Sequence, residues 1–140
     1  MLTEFKTQLV ATLEADATLT ALLASSSSIF QRRPDQAAGY PLLFYEIEGD
    51  YDTRLNAFGK VLLDLRLMVD AEDPDVLDSI EEALRALLHG QPAKLTTTNW
   101  RCALCRLNRS RREPQTFHDP GTQQPVTRLT TEWSVTLYAE

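Results

Sequence analysis

Residues 61–90 read VLLDLRLMVDAEDPDVLDSIEEALRALLHG, and this stretch decides the fold of the chain. Between Val61 and Val69, apolar side chains alternate with a second set that includes charged residues. This period of two predicts a strand with one face on a core. Apolar residues then recur at helical spacing from Val76 to Leu88, which predicts an amphipathic helix. We expect the apolar faces of the strand and the helix to bury each other.

The same stretch predicts where this helix begins and ends. Asp73 offers a side-chain oxygen as an N-cap, and Pro74 suits the first helical position because its missing N–H would have no partner there. Gly90 is typical of the residue that ends a helix, since glycine adopts positive φ at no steric cost. The centre of the fold is therefore predicted to be a strand, a short acidic turn and a helix.

The remaining elements follow on both sides of this unit. An apolar stripe predicts a first helix over residues 2–14, and Asp16 or Thr18 is placed to cap a short second helix. Residues 119–122 have Pro and Gly at the central positions of a type II turn. Strands are predicted at 29–33, 42–48, 100–112 and 126–138, with long loops at 49–59 and 113–125.

This order of elements predicts an α+β fold: a mostly antiparallel β-sheet with two main helices packed on one face. The 140 residues suit a single domain spanning 1–140. No apolar run approaches the roughly 20 residues that a membrane-spanning helix needs. The first residues also lack the charged and apolar regions of a signal peptide. We therefore expect the protein to stay in the cytoplasm of the cell that makes it, without a membrane partner.

Charge excludes one class of function and marks one surface. The net charge of −6 argues against a nucleic-acid binder held by phosphate contacts. One basic cluster stands out in this acidic chain, and its simplest interpretation is a solvated strand and hairpin tip. Alternatively, it pairs with acidic groups of another subunit, which would allow copies to associate head to tail and close into a ring. The cluster consists of Arg101, Arg106, Arg109, Arg111 and Arg112.

Cys102 and Cys105 form a C-x-x-C motif inside a predicted strand. Redox pairs of this type sit at a helix N-terminus, whereas residues three apart on a strand point to opposite faces. A zinc site would need four ligands, and the only further natural candidates are His89 and His118, which lack the usual paired spacing. We expect two reduced thiols, either in the core or at the surface, and no metal or cofactor.

No catalytic arrangement is evident in the sequence. His89 falls in the last turn of the central helix, where capping explains it. His118 has no serine or cysteine neighbour arranged as a nucleophile. An acidic cluster around the start of the central helix offers oxygen ligands for a metal ion, but capping and the helix dipole explain it without one. An enzyme with a site built from His118, Asp119 and this cluster is the least favoured class of function. The cluster consists of Asp70, Glu72, Asp73, Asp75 and Asp78.

Several short motifs occur in a fixed order along the chain. They are L-x-x-x-L-x-A-D-A-x-L-T-A-L-L at Leu9–Leu23, I-F-x-R-x-P at Ile29–Pro34, Y-P-L at Tyr40–Leu42, D-T at Asp52–Thr53, the helix ending in Leu87-Leu88-His89, and the final alternating strand. In this order they resemble the tail terminator, or tail completion, proteins of long-tailed phages and phage-like particles. No catalytic motif belongs to that family.

The resemblance implies a small α+β subunit that assembles into a ring, usually hexameric, and can be monomeric when free. Such a ring caps the tail tube, ends its polymerisation and presents a surface to the head connector or stopper protein. DNA would pass through the lumen without specific binding, and no cofactor is implied. The protein would act in the host cytoplasm during assembly and then remain in the tail and neck of the virion.

Seven residues are the candidate subunit or tube interface. Charge reversal at Arg111 and Arg112 is expected to weaken assembly while the monomer stays folded. The alternative class is a small protein-binding module that forms a fixed dimer with a cytoplasmic partner and has no affinity for tail tubes. The candidates are Arg54 and Phe58 in the first long loop, Arg109, Arg111 and Arg112 in the basic cluster, and Phe117 and His118 in the second long loop.

Overall fold

The computed structural model describes residues 2–24, 28–32, 39–49, 59–118 and 125–139. Its helices are α1 (Leu2–Ala15), α2 (Ala17–Leu22) and α3 (Val76–Leu88), followed by a 3₁₀ turn (Pro92–Leu95). Its strands are β1 (Ile29–Phe30), β2 (Leu42–Gly49), β3 (Lys60–Ala71), β4 (Trp100–His118) and β5 (Pro125–Ala139).

The five strands form one sheet in the order β1-β2-β3-β5-β4. β1 runs parallel to β2, and the other three pairings are antiparallel. The predicted α+β class is confirmed, with β3 at the centre of the sheet.

Two loop predictions come out differently. The loop predicted at 113–125 is wrong in its first part, because β4 continues as a strand to His118. Pairing with β5 continues through Pro114 and resumes at His118, so the strand is held by its ladder although Pro114 lacks an N–H. In the loop predicted at 49–59, Gly49 belongs to β2, and residues 50–58 lie outside the described part of the chain. The turn predicted at 119–122 also lies outside it.

The core lies between the helices and one face of the sheet, which we call the inner face. The alternation predicted for β3 is confirmed, since its residues from Val61 to Val69 at odd positions are all buried. Register places Leu65 beside Trp133 of β5, on the same face. Helices α1 and α3 bury their apolar stripes in this same cluster, to which α1 contributes Phe5, Leu9 and Leu13 and α3 contributes Leu77, Ile80, Ala83, Leu84, Leu87 and Leu88.

Helix α3 begins slightly later than its cap signals predict. The Oδ1 atom of Asp73 accepts from the backbone N–H of Asp75 at 3.0 Å, and this bond closes a turn before the helix. The helix itself starts at Val76, so Pro74 lies in the turn and not in the first helical position. The predicted end is confirmed, because Gly90 follows the helix with φ of 70°.

Strand β4 carries two irregularities that decide which way its side chains point. Cys102 pairs with Leu137, but Leu104 pairs with the next residue of β5, so Ala103 is an extra residue in the ladder. This bulge resets the alternation and turns both Cys102 and Cys105 into the core. The expectation of opposite faces is therefore wrong. A second shift between Leu107 and Arg109 makes Asn108 the extra residue there.

Candidate assembly surface

The face of the sheet opposite the main core, which we call the outer face, mixes apolar and charged rows. Its register places Leu62 of β3, Thr136 of β5 and Leu104 of β4 side by side. Leu62 is 55% exposed and Leu104 is 40% exposed. These are the large apolar side chains that the described residues leave exposed, and they lie in one row. Exposed apolar side chains that are grouped rather than scattered are typical of contact surfaces.

A charged row crosses the outer face, separated from the apolar row by the row of Asp64, Ser134 and Arg106. Register aligns Glu46, Arg66, Glu132 and Arg109 across β2, β3, β5 and β4. Arg66 contacts both flanking carboxylates, with Nη1 3.9 Å from Glu46 and Nε 3.7 Å from Glu132. Arg109 ends the row at the sheet edge and makes no ion pair with the described residues. The row therefore ends in an exposed cation that no described carboxylate compensates.

The basic cluster of β4 is divided between the two faces. Arg111 pairs in register with Thr130 on the outer face, and its Nε lies 3.2 Å from Glu113. Arg112 pairs with Leu129 on the inner face and contacts helix α3. There its guanidinium meets Asp78 and lies 3.0 Å from Glu81. The predicted interface pair thus consists of Arg111, which points outward beside Glu113 of its own strand, and Arg112, which is held against helix α3.

The other candidate interface residues are placed only in part. Phe117 and His118 are the last two residues of β4 and not loop residues, so their backbone extends the strand. Arg54 and Phe58 lie outside the described residues. The structure therefore brings Arg109 and Arg111 together on one face of one strand.

β4 lies at the edge of the sheet, and hydrogen bonds from the segment after α3 cover this edge at Cys105 and Leu107. The backbone N–H of Gly90 donates to the carbonyl of Cys105 at 2.9 Å, and the N–H of Leu107 donates to Nδ1 of His89 at 3.0 Å. His89 therefore caps the strand edge as an acceptor, in addition to ending the helix as predicted. From Arg109 to His118, no hydrogen bond from another described segment reaches the backbone of this edge, although the Arg112 side chain contacts α3.

A buried ion pair on the outer face is a feature that the sequence patterns do not predict. Asp70 is fully buried, and Arg128 holds it with two bonds, Nε to Oδ1 at 2.8 Å and Nη2 to Oδ2 at 3.1 Å. The Arg128 guanidinium also lies over the ring of Phe44, 5.0 Å from its centroid. The inclusion of Asp70 in the acidic cluster near the helix start is therefore wrong. The sequence does contain one signal for this ion pair, which is the presence of the acidic residue Asp70 within the apolar central strand. A carboxylate buried there requires a partner.

The two cysteines lie in an environment that suppresses thiol chemistry. Burial raises the pKa of Cys102 to about 11 and that of Cys105 to about 12. Both thiols are free, and the thiolate is the reactive form. Among the residues that the structure describes, no group of three or more His, Cys, Asp or Glu side chains is placed to hold a metal ion. Within the same ranges, no helix has the length and apolar character to cross a membrane.

Comparisons with known proteins identify the fold. No protein-family model and no curated protein sequence matches this chain. Its fold is similar to that of a chain in the solved structure titled "Virion of native gene transfer agent (GTA) particle", with a TM-score of 0.70. The match covers 99% of this chain and 94% of that chain at 15% sequence identity. The two chains thus share one fold over nearly their full lengths.

Proposed function

We propose that this chain is a structural subunit of a phage-like virion, and more specifically a tail terminator. In this role, copies form a hexameric ring on the end of the tail tube, stop its polymerisation and join the tail to the head connector or stopper protein. The observation that carries the proposal is the fold match to a chain of a gene transfer agent virion over 99% of this chain.

Fold similarity by itself leaves the role open, because one fold hosts many functions. The order of motifs along the sequence supplies the specific role, since it resembles that of tail terminator proteins from Leu9 to the final strand. The fold match compares backbones at 15% identity and supports a phage-like virion. The short sequence motifs are a separate observation, and they support the place of the subunit in the tail.

The physical properties of the chain support a structural and non-enzymatic role. A net charge of −6 disfavours adhesion of DNA to the ring, so the duplex would pass through the lumen without specific binding. The described surface offers exposed charged rows and an apolar row, which suit contacts with other proteins. Assembly would take place in the host cytoplasm, and the subunit would remain at the neck of the finished virion.

Complementation of particles that lack this protein tests the proposal. Purified protein is added to such a lysate, and electron microscopy scores tube length and head–tail joining. We expect tubes of uniform length and restored joining. A gold label on an affinity tag should appear at one end of each tube and not along it. A matched lysate that receives the same protein after denaturation should show neither effect.

Three results would contradict the proposal. The first is bare tubes of irregular length beside unjoined heads when folded protein is present. The second is gold label distributed along the tube. The third is a dimer of fixed mass at all concentrations in analytical ultracentrifugation, without binding to tubes, which would favour the protein-binding module.

A further inference from the structure

The sheet has a second open edge at the opposite side of the molecule, on strand β2. Strand β1 pairs only with Leu43 and Phe44, so residues 45–49 have no partner on that side among the described segments. A groove of about 450 Å³ runs beside them, between β2, Lys6 of α1 and the Gln31–Arg32 segment after β1. Within the described ranges, this edge is therefore open to an added strand, as is the β4 edge from Arg109 onward.

The two open edges carry opposite charges on the same face of the sheet. Glu46 and Glu48 are exposed on the β2 edge, and both point to the outer face. Arg109 and Arg111 are exposed on the β4 edge and point to the outer face as well. Opposite charges on neighbouring strands stabilise a pairing, whereas like charges oppose it.

Length and direction also match. Residues 45–48 provide four positions on β2, and residues 109–112 provide four on β4, ahead of Pro114, which has no N–H to donate. Because the pairings from β2 through β3 and β5 to β4 are all antiparallel, β2 and β4 run in opposite directions. Two copies side by side in the same orientation would therefore present an antiparallel pair of edges to each other.

We propose that the β4 edge of one subunit, residues 109–112, pairs with the β2 edge of the next copy, residues 45–48, in an antiparallel register. This contact deepens the proposed function, on which its place in a tail ring depends. Glu48 then faces Arg109, and Glu46 faces Arg111. Each subunit uses two different edges, so the contact is heterologous and closes into a ring when the rotation between copies allows it. The sheets of successive subunits become continuous around the ring.

Existing side-chain contacts do not block this pairing. Glu46 lies 3.9 Å from Arg66, and Arg111 lies 3.2 Å from Glu113. Both pairs are solvent-exposed, and such pairs contribute little to stability. These side chains can therefore exchange their partners for those of the neighbouring copy. The backbone hydrogen bonds of the added ladder provide affinity, and the charges provide direction and register.

Disulfide trapping tests the contact directly. The variants are Glu48→Cys/Arg109→Cys, and two that shift the register by two residues each way, Glu46→Cys/Arg109→Cys and Glu48→Cys/Arg111→Cys. Within one chain these edges are about 14 Å apart, as three strand spacings require, so no intramolecular disulfide can form. Concentrated protein is oxidised alone and with tail tubes, and the products are separated by non-reducing gel electrophoresis. At least one variant should give a ladder of bands from covalently linked oligomers. A matched variant, Glu48→Cys/Lys94→Cys, should give at most dimers.

The outcomes separate this inference from the proposed function. Restored tails without a ladder from any register variant would overturn the edge contact and leave the terminator role intact. A ladder without restored tails would support the edge contact and overturn the terminator role. A ladder of equal yield from the matched variant would also overturn the edge contact, because it would indicate random collision.

Charge reversal provides an independent test. Arg109→Glu/Arg111→Glu and Glu46→Arg/Glu48→Arg should each lose tail completion alone, because like charges then meet at every contact. An equal mixture of the two variants should recover it, since acidic β4 edges then meet basic β2 edges around an alternating ring. The matched reversal Arg85→Glu/Lys94→Glu should remain active. Failure of the mixture to recover, with both variants folded by circular dichroism, would contradict the pairing.

Discussion

The Nη2 atom of Arg112 lies 3.0 Å from Oε2 of Glu81, and this ion pair joins the edge strand β4 to helix α3. The same guanidinium contacts Asp78 one turn earlier on the helix. Arg111, the preceding residue, points to the opposite face of the sheet. Two adjacent arginines therefore belong to different parts of the molecule: Arg112 stabilises the subunit, and Arg111 is available to a neighbour.

Reversal of these two charges should have separable effects. Arg112→Glu places a third carboxylate beside Glu81 and Asp78, so we expect the free energy of unfolding to fall by about 1 kcal/mol. Arg111→Glu changes an exposed position and should alter it by no more than about 0.5 kcal/mol. Urea denaturation of the single variants measures both. Equal losses from the two variants would contradict this division of roles.

The buried pair of Asp70 and Arg128 should depend strongly on both members. Arg128→Met keeps an apolar stem over Phe44 but leaves a fully buried carboxylate without its bidentate partner. We expect a loss of about 3–5 kcal/mol, because the buried Asp70 carboxylate keeps its desolvation penalty while it loses both hydrogen bonds from Arg128. Asp70→Asn/Arg128→Met should be less destabilised than Arg128→Met alone. Thermal and urea unfolding measure this order, and the reverse order would show that the charge of Asp70 is not the cause.

A short hydrogen-bonded chain in the core connects Trp133 to the central strand. The indole N–H of Trp133 donates to Oγ1 of Thr131 at 2.8 Å, and this hydroxyl donates to the carbonyl of Leu67 at 2.9 Å. Thr131→Val leaves a buried indole N–H without an acceptor and should cost about 1–3 kcal/mol. Thr131→Ser keeps the hydroxyl and should cost about 1 kcal/mol for the lost methyl group. Tryptophan fluorescence during urea unfolding compares the two, and a greater loss for serine would refute the role of the hydroxyl.

The two thiols should react only when the chain unfolds. With pKa values raised by burial to about 11 for Cys102 and about 12 for Cys105, roughly one Cys102 in a thousand is ionised at pH 8. Labelling by an aromatic disulfide reagent should therefore be slow in buffer and rapid in denaturant. A burst of one or two equivalents from folded protein would show that the thiols are accessible.

The same pKa shifts predict how stability changes at high pH. Both thiols have folded-state pKa values above their ordinary 9.0, so the folded state holds these protons more tightly than the unfolded state. Their contribution is complete below pH 9 and is lost as the pH rises towards 11–12. The free energy of unfolding should fall over this range, and less steeply in Cys102→Ala/Cys105→Ala. Identical pH slopes for the two proteins would contradict the assignment.

Sequence patterns predicted the regular elements because their causes are local. The period of two in β3, the apolar stripe of α3 and the glycine after it are each visible within a few residues. Asp16 likewise caps α2 as one of its two predicted candidates, since its Oδ2 accepts from the N–H of Leu19 at 3.0 Å. The fold class followed from the order of these elements, because few architectures bury one stripe and several half-apolar strands together.

The candidate surface was predictable only in part. The sequence singled out the arginines of β4 as one cluster, since their charge contrasts with an acidic chain. Arg111 and Arg112 take opposite faces by simple alternation, and the register with β5 decides that Arg112 is the inner one. A bulge has no strong sequence signal, so alternation counted along the strand gives the wrong face between the two extra residues, Ala103 and Asn108. The prediction that the two cysteines point to opposite faces is wrong for the same reason, because Ala103 is an extra residue between them.

Local patterns along the chain were sufficient to predict most of the helices and strands, the apolar faces that most of them bury and the charge of each segment. The tertiary structure decided which strand edges remain open, which arginine is paired within the subunit and which acid is buried. The physical reason is the range of the interactions. Periodicity and capping act over three or four residues, whereas strand order, register and ion pairs such as Asp70–Arg128 join residues that are far apart in the chain.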